Sequence, residues 1–339
     1  MTGDQRPIIG ITMGDPAGIG PEICARAFAD KSVRRVSQPV LYGDARVMQK
    51  AVDLVGANLE VRAIDDPAAA TGRESLLEVV DLANAHPSEF RLGQVSALCG
   101  RSAWEYIEAA GRAALEEKIA AVATAPINKE SIAAAKVPYV GHTEMLGAVA
   151  GVADPLTMFE TLSLRVFFLT RHVSLRKACD LVTRDRIVDY IERCTEALAN
   201  LDLAGRLAIA GLNPHCGEHG LFGDEERQVI EPAIAEAKRR GISVVGPIGA
   251  DSVFHQAKVG RFAAVLSLYH DQGHIACKTL DFDRTVSITL GLPFLRTSID
   301  HGTAFDIAWK AEASAVSMVE ALLAAARYAP LYARNRGKV

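Results

Sequence analysis

The sequence predicts an α/β fold with a mainly parallel sheet, carried by a subunit of two domains. Short apolar runs recur along the chain, and helical apolar spacing lies between several of them, which is the pattern of strand, crossover helix and parallel strand. At 339 residues the chain spans roughly two lengths of about 150 residues. Such crossovers are right-handed, and polar groups just past the strand ends are where a site belongs.

Taken in order, Pro7–Met13 reads as a buried strand running into Gly14-Asp15-Pro16-Ala17-Gly18-Ile19-Gly20. A helix then starts at Pro21, because the missing donor of proline costs nothing in a first turn. Pro39–Gly43 forms a second strand, and the helix after it carries Val47, Met48 and Val52. Residues 57–96 hold turn signals at Asp65-Asp66-Pro67 and Asn84-Ala85-His86-Pro87 and receive no elements. From Ser102 to Glu117, Ala103, Ile107, Ala110 and Ala114 share a helix face; Ala120–Thr124 is a short strand ending at Ala125-Pro126-Ile127-Asn128-Lys129. Further strands are expected at 164–169, 207–212, 242–248, 262–269 and 286–290, with a closing helix over 311–327.

Hydrophobic residues make up 49% of the chain and charged residues 23%, which argues against long disorder. A net charge of −4 argues against a general nucleic-acid binder, which is usually basic over one face. No apolar stretch approaches the roughly 20 residues of a membrane-crossing helix. The start, Met-Thr-Gly-Asp-Gln-Arg, lacks a basic segment leading into a secretory apolar run. Six dispersed cysteines without paired metal-ligand spacing fit a reduced, cytoplasmic protein.

Three histidines follow expected strands: His172, His215 and His270. Neutral imidazoles suit a borderline divalent ion, and separate strand ends can bring distant ligands together; ordinary polar residues at element ends are the competing reading. His142-Thr143-Glu144 precedes a helical pattern, where Thr143 serves either as N-cap or as donor to an anion. Lys278 and Arg296 are candidate anion-binding cations or solvated surface charges. The loop 14–20 is neither G-x-G-x-x-G nor a P-loop, which disfavours a standard Rossmann domain.

Linked in order, these motifs resemble the 4-hydroxythreonine-4-phosphate dehydrogenase family over nearly the whole chain. The strings are Met13-Gly14-Asp15-Pro16-Ala17-Gly18-Ile19-Gly20-Pro21-Glu22, Pro126-Ile127-Asn128-Lys129, Gly141-His142-Thr143-Glu144 and Asn213-Pro214-His215. They continue in Gly246-Pro247 with Asp251, Tyr269-His270-Asp271-Gln272-Gly273 and Arg296-Thr297-Ser298-Ile299-Asp300-His301-Gly302-Thr303. The resemblance implies a two-domain α/β/α subunit like the isocitrate and isopropylmalate dehydrogenases. It implies a homodimer, an interdomain cleft and a non-Rossmann site for NAD or NADP, whose residues stay unassigned. The approximate domains are 1–125 with 302–339, and 126–301 with the dimer and metal site.

His172, His215 and His270 match the family's divalent-metal ligands, drawn from both subunits; Zn, Mg, Mn and Co are not distinguished. His142, Thr143, Lys278, Ser287 and Arg296 match substrate-binding positions, and Asp251 and Lys278 are candidates for proton transfer. Cys216, beside His215, is either a thiolate ligand or a buried neighbour.

One departure matters: the family pattern carries Asn where this chain has Ser287, which reaches less far and lacks the amide donor. With Gly273-His274-Ile275-Ala276 and Thr303-Ala304-Phe305-Asp306-Ile307-Ala308, it resembles the branch acting on D-threonate or D-erythronate 4-phosphate. The implied reaction is NAD-dependent, metal-dependent oxidation and decarboxylation to dihydroxyacetone phosphate. The alternatives are 4-hydroxythreonine-4-phosphate dehydrogenase in pyridoxal phosphate biosynthesis, a metal-dependent phosphatase or aldolase, and a phosphorylated-metabolite sensor.

Overall fold

The computed structural model describes residues 6–336. They form two compact units, one holding the chain through Pro155 with Gly291–Ala333, the other Leu156–Leu290 with the tail from Arg334. The boundaries fall at 155/156 and 290/291, where the sequence reading drew them at 125/126 and 301/302. Residues 126–155 and 291–301 thus pack with the first unit.

The strands are β1 (Ile8–Thr12), β2 (Gln38–Gly43), β3 (Glu60–Ile64), β4 (Leu76–Asp81), β5 (Ala121–Thr124), β6 (Leu156–Thr161), β7 (Leu164–Phe168), β8 (Leu207–Ala210), β9 (Val244–Ile248), β10 (Ala264–Ser267), β11 (Thr285–Leu290) and β12 (Leu295–Ile299). The first unit orders its six β3-β4-β2-β1-β5-β12, all parallel. The second orders β11-β6-β7-β10-β8-β9, where β7, β10, β8 and β9 run parallel and β6 is antiparallel to both β7 and β11. The α/β class and the mainly parallel sheet are as expected.

Four strands lie where none was expected: β3, β4, β6 and β12. Charge hides three of them. Glu78 of β4 is fully buried, satisfied by the backbone amides of Thr71 and Gly72 and by Arg62; Arg296 sits buried inside β12. Glu60 and Arg62 break the apolar run of β3, an edge strand that is largely solvent-facing.

In the second unit, helix His270–Leu280 lies over β6 and β7. Gly273 permits that approach, because a Cβ there would stand 2.5 Å from the Phe168 ring and 2.7 Å from Ser267 Oγ. Phe159, Val166, Phe168, Phe262, Val265 and Cys277 fill the layer between sheet and helices, each large side chain contributing about 2 kcal/mol by burial. In the first unit, Gly14 turns the chain at the end of β1 with φ +76°, where a Cβ would stand 2.3 Å from Pro126 O. The closing helix is Val316–Asn335, shifted toward the C-terminus from the expected 311–327.

Candidate active site

His172, His215 and His270 stand after the C-terminal ends of β7, β8 and β10, and these strands are adjacent in the order β7-β10-β8. Of the three, His172 and His270 converge: their rings are 5.9 Å apart and both line a pocket of about 390 Å³ with Arg171, Tyr269 and Asp271. Nδ1 of His270 pairs with Asp271 Oδ1 at 2.7 Å, which leaves Nε2 as the ring's ligand-facing nitrogen. His274 stacks on His270 with centroids 3.6 Å apart and 11° between planes, and its Nδ1 lies 2.9 Å from the His270 carbonyl. The Phe159 and Phe168 rings wall in His274 from below.

His215 opens a left-handed turn in which five successive residues, His215 to His219, have positive φ. Four of them are not glycine, so the turn is held by its surroundings rather than by local preference. The holder is Glu226, 2% exposed, whose Oε1 accepts from Leu212 N and Asn213 N at 2.7 Å and whose Oε2 accepts from Asn213 Nδ2 at 2.8 Å. Buried Gln272 ties this strand end to the next, accepting from Leu268 N and donating to Gly211 O. Burial, then Glu226, Asp251 and Glu231, push the Cys216 thiol upward, so its environment opposes thiolate formation.

Asp251 occupies the exposed first turn of helix Ala250–Lys258. Lys278 lies in the last turn of helix His270–Leu280, with Nζ 5.1 Å from the centre of the Phe282 ring. His270, His274 and Lys278 follow at intervals of four and therefore share one helix face. Ser287 is buried on β11 directly opposite Phe159, the residue that packs on His274.

In the first unit, His142 begins helix His142–Ala150, and Gly141 is the N-cap. Thr143 is therefore inside the first turn, which corrects the capping alternative. Burial drives the His142 imidazole well below its ordinary range, the Arg296 charge pushes it further, and the Ala125 carbonyl opposes both. Its Nε2 is buried without a hydrogen-bond partner. Arg296 is 5% exposed; its Nε and Nη2 donate to Thr124 Oγ1 at 3.1 and 2.8 Å, and Thr124 Oγ1 in turn donates to Ser298 Oγ. Burial lowers the Arg296 guanidinium to about 9 against the pull of Asp300, leaving it charged at neutral pH. A neutral imidazole beside a buried, aimed guanidinium is an anion-binding arrangement.

Sequence reasoning missed Glu226, His274, Thr124 and Asp15 as positioning residues. The Asp15 carboxyl is fully buried in the glycine-rich loop, and burial raises it to about 6 although Oδ1 accepts from Ala17 N at 2.9 Å. Buried Glu22 is a second anchor, accepting from the backbone amides of Trp309 and Ala311.

Among the described residues, no group of three His, Cys, Asp or Glu side chains stands close enough to hold a metal ion. His172 and His270 are the two of the three histidines whose rings approach each other. No described helix is long and apolar enough to cross a membrane.

Fold and site define an α/β enzyme with a histidine-lined pocket at the ends of parallel strands in the second unit and a buried, anion-binding arrangement in the first. A family model described as "Pyridoxal phosphate biosynthetic protein PdxA" matches residues 35–325, and the chain belongs to that family: it is a PdxA-family dehydrogenase. It is 55% identical over 326 residues to a Fusobacterium nucleatum protein named "Putative D-threonate 4-phosphate dehydrogenase", covering 96% of this chain and 98% of that one. A Symbiobacterium thermophilum protein of the same name is 55% identical over 334 residues, 98% of this chain and 100% of that one. The crystal structure of 4-hydroxythreonine-4-phosphate dehydrogenase from Klebsiella pneumoniae superposes with a TM-score of 0.89 at 40% identity, covering 97% and 99% of the two chains.

Proposed function

We propose that the protein oxidises a four-carbon 4-phosphorylated hydroxy acid, D-threonate or D-erythronate 4-phosphate, with NAD as hydride acceptor; NADP is the variant cofactor. The observation that carries this reading is the near-full-length identity to relatives bearing the D-threonate name. Ser287, in place of the amide of the 4-hydroxythreonine pattern, supports it.

Hydride leaves C3 for the nicotinamide and the C3 hydroxyl loses its proton, giving a 3-oxo acid. That acid releases carbon dioxide from C1, and protonation at C2 yields dihydroxyacetone phosphate. In the first unit His142, Thr143 and Arg296 are the phosphate-binding groups, with Arg296 aimed by Thr124. Fixing the unreacting phosphate orients the reacting carbon. In the second unit Lys278 and Ser287 contact substrate, and Asp251 and Lys278 are the candidates for moving the proton. His172, His215 and His270, drawn from two subunits, would hold a divalent metal, which would supply Lewis acidity when bound. The imidazole chemistry fits such an ion, and the assignment of ligands across a homodimer follows from the family resemblance.

The names of the family model and of the Klebsiella structure favour a second reading, oxidation of 4-hydroxythreonine 4-phosphate. A spectral assay at about 340 nm with product analysis, on metal-reconstituted protein, compares D-threonate, D-erythronate and 4-hydroxythreonine 4-phosphates with NAD and NADP. Dihydroxyacetone phosphate from a sugar-acid phosphate supports the first reading; preference for the amino acid restores the second.

A further inference from the structure

We infer that Arg171 is the residue that binds the substrate's carboxylate and so selects phosphorylated acids over the corresponding alcohols; the inference rests on the proposed oxidation of a 4-phosphorylated hydroxy acid. Arg171 immediately precedes His172 past the end of β7 and lines the pocket that holds His172 and His270. Its Nη1 donates to Thr157 Oγ1 on β6, a residue only 9% exposed. That bond pins one edge of the guanidinium and leaves its other donors available.

Among the described residues Arg171 has no carboxylate partner. The one acidic group lining the pocket, Asp271, has its Oδ1 engaged by His270. A fixed positive charge beside two imidazoles, with no carboxylate paired to it among the described residues, calls for an anion from the ligand. A 4-phosphorylated hydroxy acid has two anionic ends, and the carboxylate is the one joined through C2 to the carbon that is oxidised. Its planar pair of oxygens matches the guanidinium fork. Such a pair holds C1 in a fixed orientation relative to C3 during hydride transfer.

The experiment compares wild-type, Arg171→Gln, Arg171→Lys and Thr157→Val proteins on D-threonate 4-phosphate and on threitol 4-phosphate, whose C1 is a hydroxymethyl group. It records binding by calorimetry and oxidation by nicotinamide absorbance, with thermal melts confirming that each variant folds. Arg171→Gln is expected to weaken binding of the acid by about 10- to 100-fold, the worth of a charge-assisted pair, while changing the alcohol less than about twofold. Arg171→Lys keeps the charge without the fork and should recover part of the loss; Thr157→Val should cost less than Arg171→Gln. Equal weakening of acid and alcohol, or an unchanged acid affinity in a folded Arg171→Gln protein, overturns the inference while the proposed oxidation stands. A wild-type protein that neither binds nor oxidises the acid overturns both.

Discussion

His270 and His274 stack face to face with ring centroids 3.6 Å apart, and the same helical turn carries Nδ1 of His274 to within 2.9 Å of the His270 carbonyl. One histidine is thereby braced by another at i+4, on a helix seated against the sheet by Gly273. The bracing fixes the His270 ring plane, and Asp271 fixes which nitrogen faces the pocket.

Removing the brace should therefore cost activity more than stability. His274→Ala is expected to lower kcat/KM about 10-fold or more, while a stacked aromatic contact is worth about 1 kcal/mol to the fold. His274→Phe restores the ring without the nitrogen and should recover part of the activity. Steady-state kinetics beside thermal melts read the two effects separately. Wild-type kcat/KM in His274→Ala would remove the positioning role.

Glu226 offers a second test at a distance from the pocket. Its carboxylate collects three donors from Leu212 and Asn213, so Glu226→Ala strands two backbone amides, while the Asn213 side chain keeps only its bond to Glu225. A loss of about 2–3 kcal/mol in chemical denaturation is expected. Glu226→Gln should be milder, because its oxygen still serves the two amides while its NH2 meets the Asn213 donor. Both variants should lose turnover beyond the stability effect, since the held segment leads into His215. Full activity in a folded Glu226→Ala protein would separate the loop's geometry from catalysis.

The three strand-end histidines were legible because the apolar runs of β7, β8 and β10 stop just before them. The machinery that orients them was not. Nothing local in Pro214–Gly220 announces a left-handed turn, since Cys216, Glu218 and His219 carry side chains that ordinarily avoid it. Its holder, Glu226, lies 13 residues beyond Asn213, whose amide it accepts from, and becomes visible only when the chain folds back. Arg296 illustrates the opposite failure: a charge in an apolar run argues against a strand until Thr124 of the neighbouring β5 is seen to receive it. His274 stands in the sequence only as one letter of the Gly273–Ala276 string, because its role comes from the rings of Phe159, Phe168 and His270, which come together only in the fold.

The Thr124–Arg296 pair predicts a split between kinetic parameters. Thr124→Val removes the acceptor for Nε and Nη2 and the donor to Ser298 Oγ, all buried. The guanidinium keeps its charge and loses its aim. KM for the phosphorylated substrate should rise about 10-fold, with kcat changed by less than about threefold, and stability should fall by about 1–3 kcal/mol. Thr124→Ser keeps the hydroxyl and should restore KM. A kcat defect at unchanged KM would place Arg296 in the chemical step rather than in phosphate binding.

Asp15 sets a pH dependence whose sign can be worked out. Its carboxyl titrates at about 6 in the fold against an ordinary 3.8, because burial penalises the charged form more than Ala17, Ser131 and Cys99 favour it. Between those values the folded protein holds a proton that the unfolded chain has released. Its contribution is full below pH 4 and is lost as pH rises to 6, at most about 3 kcal/mol. His142, held neutral, acts in the other direction: the stability linked to it is present above about pH 6.5 and is lost on acidification below that. Wild-type melts alone therefore mix two slopes. Asp15→Asn isolates one, since its amide oxygen can still accept from Ala17 N while the titration is gone. The variant should be more stable than wild type at pH 7.5, and the advantage should shrink as pH falls from 6 to 4. A constant difference across that range would mean that the Asp15 carboxyl is ionised in the fold at acidic pH.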